Sequence, residues 1–260
     1  MTAQTSPAQT IGQVITQLDQ VIERCIRDES RLGFFAALYR NVTVKVRDDI
    51  AAGRFEDGPR MERLDVIFAN RYLEALHRFW RGEQTTASWA VTFQAARLQS
   101  PIILQHMLLG MNAHINLDLA IAAVHTSPGT ELPGLKRDFF EITVLLSEMI
   151  DRVQTRLDRV SPWLRIIDRV GGRTDEQICA FAIGAARDLA WRTAEELAAA
   201  SPDKFEQEVA SHDRSVAALG RGIQSPGRLL GAGLALIRVR ESRPVPQVIQ
   251  MLRLRVPGGV

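Results

Sequence analysis

The chain has only two cysteines in 260 residues, Cys25 and Cys179, too few for a disulfide framework or a zinc ribbon. Cys25 ends an apolar stripe of Val14, Leu18, Val21 and Ile22, and Cys179 lies within ICAFAIGAA, so both read as core thiols and not as nucleophiles. Lysine is also scarce, with Lys45, Lys136 and Lys204 the only three among 32 basic residues. Arginine is thus the default cation here. An arginine on a wet face carries no functional reading, and one inside an apolar stripe does. No unbroken apolar run approaches the ~20 residues of a membrane span, and the opening MTAQTSPAQT lacks the basic-then-apolar pattern of a secretion signal. A cytoplasmic chain with no transmembrane segment is expected. There is no Gly-rich phosphate loop, no Rossmann fingerprint and no nucleophile elbow, which argues against common nucleotide-dependent and serine-hydrolase chemistry. No nucleic-acid partner is expected.

What the chain does have is apolar content, 46% hydrophobic, which is ample for a real core at this length. Its periodicity is helical nearly throughout, with Gly and Pro clustered at the breaks and no alternating strand pattern in competition. The spacing predicts helices over about 11–30, 34–53, 60–81, 86–99, 102–125, 134–160, 174–200, 203–223 and 227–240, with a short one near 163–169. Ser161-Pro162 and Ser201-Pro202 each place an N-cap before a proline, and Thr174 to Gln177 reads as a capping box. The fold class is therefore all-α: a single multi-helix, bundle-like domain over 1–225, with two central buried helices at about 102–124 and 174–200. Residues 226–260 form a basic C-terminal segment packed on or appended to it. Six arginines against Glu241 give that segment +5, leaving about −3 for the rest of a chain whose net charge is +2. Two readings of it stand: LLGAGLALI packs on the body while its arginines stay in water, or the arginines make weak contact with a membrane surface.

The central helix is where chemistry could sit. QHMLLGMNAHINLDLAIAA sets His106, Asn112, His114, Asn116 and Asp118 into an otherwise apolar segment with no wet face. Buried polar groups cost roughly 1–3 kcal/mol or more when unpartnered, so other side chains must answer these five. His114 and Asp118, four apart, share a face about 6 Å along the axis. His106 is about 12 Å from His114 along the same axis, too far to share a mononuclear site. Asn112 and Asn116 project elsewhere, and His125 falls at the solvent-side end. On the helix over 60–81, Asp65 and Arg71 stand on the two shoulders of the inward stripe Met61, Leu64, Phe68, Tyr72, Ala75 and Phe79. Two mechanisms fit these residues. His114 and Asp118 could hold one divalent metal ion, which needs a further ligand from Asp65, Asp138 or Asp188. Alternatively, Asp118 orients His114 as a general base while Arg71 meets an anionic group or developing negative charge. Neither His-Glu-x-x-His nor the paired Glu-x-x-His motifs of ferritin-like carboxylate sites are present. A His-x-x-x-Asp pair also arises for purely structural reasons, when a buried imidazole donates to a carboxylate. The small residues Gly110, Ala113, Ala120 and Gly184 either leave room for a ligand or let helices approach closely.

The stretch LGFFAALYRNVTVKVRDDIAAGRFEDGPRMERLDVIFANRYLEAL followed by LQHMLLGMNAHINLDLAIA resembles a bacterial family, common in actinobacteria, known only as a domain of unknown function. The likeness runs from about Leu32 to Leu197 and is carried best by MNAHINLDL. It brings no assigned activity, so no catalytic role transfers. The sequence thus predicts a buried site built on His114, Asp118, Arg71 and Asp65 in an enzyme acting on a small, largely apolar molecule, with or without a metal ion. The rival expectation is a non-catalytic ligand-binding or scaffold protein whose buried polar network is structural.

Overall fold

The structure is a computed structural model and describes residues 6–142, 175–227, 234, 235 and 237–253, with residues 175–184 as backbone only. The described residues are helical, with no strands. The order is α1 (Ile11–Arg27), α2 (Leu32–Ala51), α3 (Gly58–Trp80), α4 (Ala87–Ala95), α5 (Ile103–Ala113), a π-helical turn (His114–Asp118), α6 (Leu119–Thr126), α7 (132–142), α8 (Asp175–Ala199), α9 (Pro202–Gln224) and α10 (Val245–Leu252). The short helix near 163–169, the Ser161-Pro162 and Thr174 caps, and the carboxylates Glu148, Asp151 and Asp158 lie outside the described residues.

The helix ends follow local chemistry. Thr10 accepts from the Gln13 N–H at the start of α1, and Asp57 accepts from Arg60 N–H at the start of α3, each satisfying an orphan donor of the first turn. Pro202 sits at the start of α9, although the Ser201 side chain makes no capping bond there. Asp213 on α9 caps α4 from across the fold by accepting from Ala87 and Ser88 N–H.

Two apolar clusters make up most of the core. One joins α1, α2, the C-terminal part of α3, α4 and the start of α5, and α10 closes it with Val248, Ile249 and Leu252. The other joins the start of α3, α6, α7 and α8, with Leu64, Leu117, Phe139 and Trp191 among its members. The continuous rod α5–π turn–α6 crosses both. By length and composition Ile103–Thr126 could cross a membrane, but it is mostly buried among the other helices. Polar residues interrupt its apolar runs, which is why a search for unbroken runs passes over it.

The second expected central helix differs. From residue 185 onward α8 is amphipathic, with Arg187, Ala190, Trp191 and Ala194 inward and Asp188, Leu189 and Arg192 outward. Its alanines hide that polarity in the sequence. Asp188 and Arg192 form no ion pair with each other. Small residues serve close approach at Gly110, where an added Cβ would stand 2.3 Å from the Phe35 ring.

The C-terminal segment is docked where it is described. Asn41 on α2 donates to the Leu252 carbonyl, and Arg253 pairs with Asp19 and Glu23 on α1. Arg238 donates to the carbonyls of Gln99 and Glu241. Two of the arginines counted toward a membrane-facing tail are thus engaged by the body.

Candidate functional site

The π turn is the first departure from the expected uninterrupted α-helix. Leu119 N–H donates to the His114 carbonyl five residues back, so the backbone widens where the polar residues lie. No Gly or Pro marks it. Such single π turns inside helices occur frequently at functional sites.

Asp118 is 1% exposed and accepts three side-chain hydrogen bonds. Arg71 Nε on α3 reaches Oδ1 at 2.9 Å, and Trp89 Nε1 on α4 reaches Oδ2 at 2.9 Å. His114 Nδ1 lies 3.2 Å from Oδ2. A carboxylate in this position accepts, so Nδ1 carries the hydrogen and Nε2 is left as a lone-pair acceptor. That Nε2 is buried and has no hydrogen-bond partner. Burial holds the His114 pKa below its usual value, against the opposing pull of Asp118, which keeps the ring neutral at physiological pH.

The imidazole stands in an aromatic sleeve. Phe68 stacks on it at 3.5 Å between centroids, and Tyr39 meets it edge-on at 4.5 Å. Phe35, Tyr72 and Trp89 complete the ring contacts. Besides Arg60 Nε at the far start of α3, two further orphaned polar atoms lie on the helices that supply this sleeve. The Tyr39 hydroxyl on α2 and Asp65 Oδ2 on α3 are both buried without a hydrogen-bond partner. The two feel each other, since burial first and the Asp65 charge second push the Tyr39 pKa well up. Asp65 itself is pushed up to about 8, by burial first and the nearby Glu62 second, so at neutral pH it is largely a protonated carboxyl. Tyr39 thus meets the His114 acceptor through its ring and lies in the field of Asp65, whose protonated carboxyl, like the Tyr39 hydroxyl, is a potential donor.

Arg71 donates its Nε to Asp118, while no bond to Asp118 engages its Nη groups. Of the three carboxylates expected as additional metal ligands, Asp138 and Asp188 are turned to other tasks. Asp138 accepts from Glu56 N–H, Asp57 N–H and Arg60 Nη2, tying down the α2–α3 loop, and Asp188 faces outward. Among the described residues no three His, Cys, Asp or Glu side chains come together as a metal-holding group. Asp118 is ringed by N–H donors, the surroundings of an acceptor and not of a cation ligand. His106 lies apart against Phe34, with its pKa lowered to about 4 chiefly by burial. Asn116 donates to Asn112, which donates to the Val216 carbonyl on α9, a separate bridge between helices. His125 is exposed beside Phe205. Cys25 is buried with its thiol pushed up to about 12, mainly by burial, which fits an inert core thiol.

A model for a family of unknown function (DUF5995) matches residues 11–226. The chain belongs to that family. The match runs from the first residue of α1 to just past the end of α9, so it takes in Tyr39, Asp65, Arg71, Trp89, His114 and Asp118, and it stops short of α10. No curated protein matches the chain, and neither does any solved structure.

Sequence reasoning passed over Tyr39 and Trp89. Tyr39 sits in an apolar stripe, where a phenol is indistinguishable from a packing aromatic, and Trp89 lies in a short helix that carried no candidate. The usable signal was the demand of Asp118 itself, because a buried carboxylate requires donors and Trp is a donor that apolar stripes readily hide.

Proposed function

We propose that this chain is an enzyme performing acid–base chemistry on a small, largely apolar molecule, with His114 Nε2 as the proton acceptor. Asp118 orients the imidazole and stabilises the imidazolium that forms, and Arg71 and Trp89 hold Asp118. The Tyr39 hydroxyl and the protonated Asp65 carboxyl are the donors for an oxygen of the substrate. One observation carries the reading: every neighbour of Asp118 is placed to fix the His114 tautomer, yet the nitrogen so prepared is buried with no partner. An orphaned buried acceptor beside orphaned donors is what a bound molecule with one polar group would satisfy.

A thermal-shift screen of small apolar alcohols, phenols and ketones against the wild type and His114→Gln, followed by turnover assays on the hits, tests this. The expected result is a set of compounds that stabilise the wild type and are turned over only by it. Turnover falls as pH rises through about 8, where the Asp65 proton is lost, and falls on the acid side below pH 6.5, where His114 takes up its own. Hits that bind both proteins equally, or no hits at all, would leave the second reading. In that reading the Asp118 network pins α3, α4 and the π turn together without catalysis, and the close stacking of Phe68 on His114 favours it.

A further inference from the structure

Arg187 on α8 is 2% exposed and lies among apolar neighbours of the second cluster. Its Nε and Nη1 are both buried with no hydrogen-bond partner. The guanidinium sits over the Phe139 ring of α7, with Cζ 5.1 Å from the centroid, and Trp191, one turn along α8, meets the same ring edge-on at 5.0 Å. Burial alone lowers its pKa to about 9, with no carboxylate acting on it, so it keeps its charge at neutral pH. A cation–π contact returns part of the solvation that a buried guanidinium loses, but not its hydrogen bonds. Every other arginine that the described fold draws below one-fifth side-chain exposure in an ion pair, such as Arg40 and Arg60, has a carboxylate beside it. Arg187 alone among these inward-facing arginines has an aromatic ring and two idle donors.

We propose that Arg187 anchors a second binding site, for the carboxylate of an amphiphilic organic acid whose apolar body lies against Phe139 and Trp191. The class follows from charge and surroundings. One guanidinium neutralises one negative charge, which a carboxylate carries, and its N–H groups match carboxylate oxygens. A phosphate approaching two charges needs further donors; Phe139 carries none, the Trp191 ring offers only its indole N–H, and Lys136, whose Nζ stands 5.6 Å from the Trp191 centroid, is an exposed side chain. That indole is already committed to Glu195. The apolar neighbours suit the hydrocarbon part of the ligand instead. The site is independent of the His114 reading, since it shares no side chain with it.

The test uses the full chain, wild type and Arg187→Met, with thermal midpoints and tryptophan emission followed against octanoate, benzoate, inorganic phosphate and chloride at matched ionic strength. Octanoate or benzoate raises the wild-type midpoint saturably and perturbs the emission, and Arg187→Met weakens the apparent affinity by about tenfold or more. Without added acid, Arg187→Met is at least as stable as the wild type, because it removes an unpartnered buried charge and keeps the volume. On the wild type alone, octanol and benzyl alcohol, which lack the charge, give no comparable response. The proposal is overturned by equal responses to acid and alcohol, by a response unchanged in Arg187→Met, by phosphate acting where neither carboxylate does, or by no response to any of them.

Discussion

Asp118 and Asp138 are both 1% exposed, both accept three hydrogen bonds and both hold one arginine, yet they serve different partners. Asp138 on α7 takes two backbone N–H groups of the α2–α3 loop and Arg60 Nη2, so what it holds is the chain's own loop, and the one idle atom beside it is the Arg60 Nε donor. Asp118 takes only side chains, from α3, α4 and the π turn, and one of them is a histidine whose second nitrogen has no partner. A buried carboxylate that satisfies backbone is architecture. One that aligns an imidazole and leaves its far nitrogen idle is arranged around something else. The difference lies in the donors, since burial and bond number are alike.

The comparison predicts that Asp138→Ala has the largest effect on stability. The substitution strands two loop N–H groups and Arg60 beside a buried hole, and truncating one partner of a buried charge pair typically costs about 3–5 kcal/mol. Urea denaturation of the variant reads it directly. A loss below about 1 kcal/mol would mean that the loop is held without its clamp, and the contrast with Asp118 would then collapse.

Asp118→Asn comes next, at about 1–3 kcal/mol, because the amide keeps the volume and can still accept on one side while its NH2 meets one of three donors. Arg71 is a quarter exposed along its side chain, so water takes up part of its lost partner. The sharper readout is the imidazole. Histidine nitrogen signals from the wild type report hydrogen on Nδ1 of His114, and the variant shows a mixed or reversed tautomer. An unchanged tautomer would show that the aromatic sleeve, and not Asp118, orients the ring.

How far the sequence alone reached differs between these two carboxylates for physical reasons. Helical period 3.6 places residues within one helix, which is why His114 and Asp118 pair by spacing and why Asp65 and Arg71 stand at the edges of an inward stripe. It says nothing about which helices meet. The partners of Asp118 come from positions 71 and 89, and those of Asp138 from 56, 57 and 60, so each constellation is fixed by long-range packing that no local pattern encodes. The π turn escaped because residues 114–118 contain no Gly or Pro, and a one-residue change in hydrogen-bond register leaves no mark in composition. Arg187 left a signal, an arginine within the otherwise apolar IGAARDLAW, but its alanine neighbours make the face ambiguous.

His114→Phe has the smallest expected effect, and its sign with pH separates a site from a strut. At pH 8 the ring is neutral both folded and unfolded, and the variant loses the hydrogen bond to Asp118, whose oxygens keep Trp89 and Arg71, while it also removes the unpartnered buried Nε2. The two effects oppose each other, so the net change at pH 8 is within about 1 kcal/mol. The unfolded imidazole binds a proton near pH 6.5, whereas burial lowers the folded value, so the wild type loses stability as pH falls below 6.5 and the variant is spared that loss. The stability difference therefore moves in the variant's favour on acidification, by up to about 1.4 kcal/mol per pH unit, until the folded ring itself titrates. Paired denaturation curves at pH 8, 6.5 and 5.5 measure it, and the other histidines cancel because both proteins carry them. A difference that moves in the wild type's favour on acidification would mean the folded imidazole is held as a cation by Asp118. Nε2 would then bear a hydrogen, and His114 would be an ion-pair strut with no lone pair to take a proton from anything.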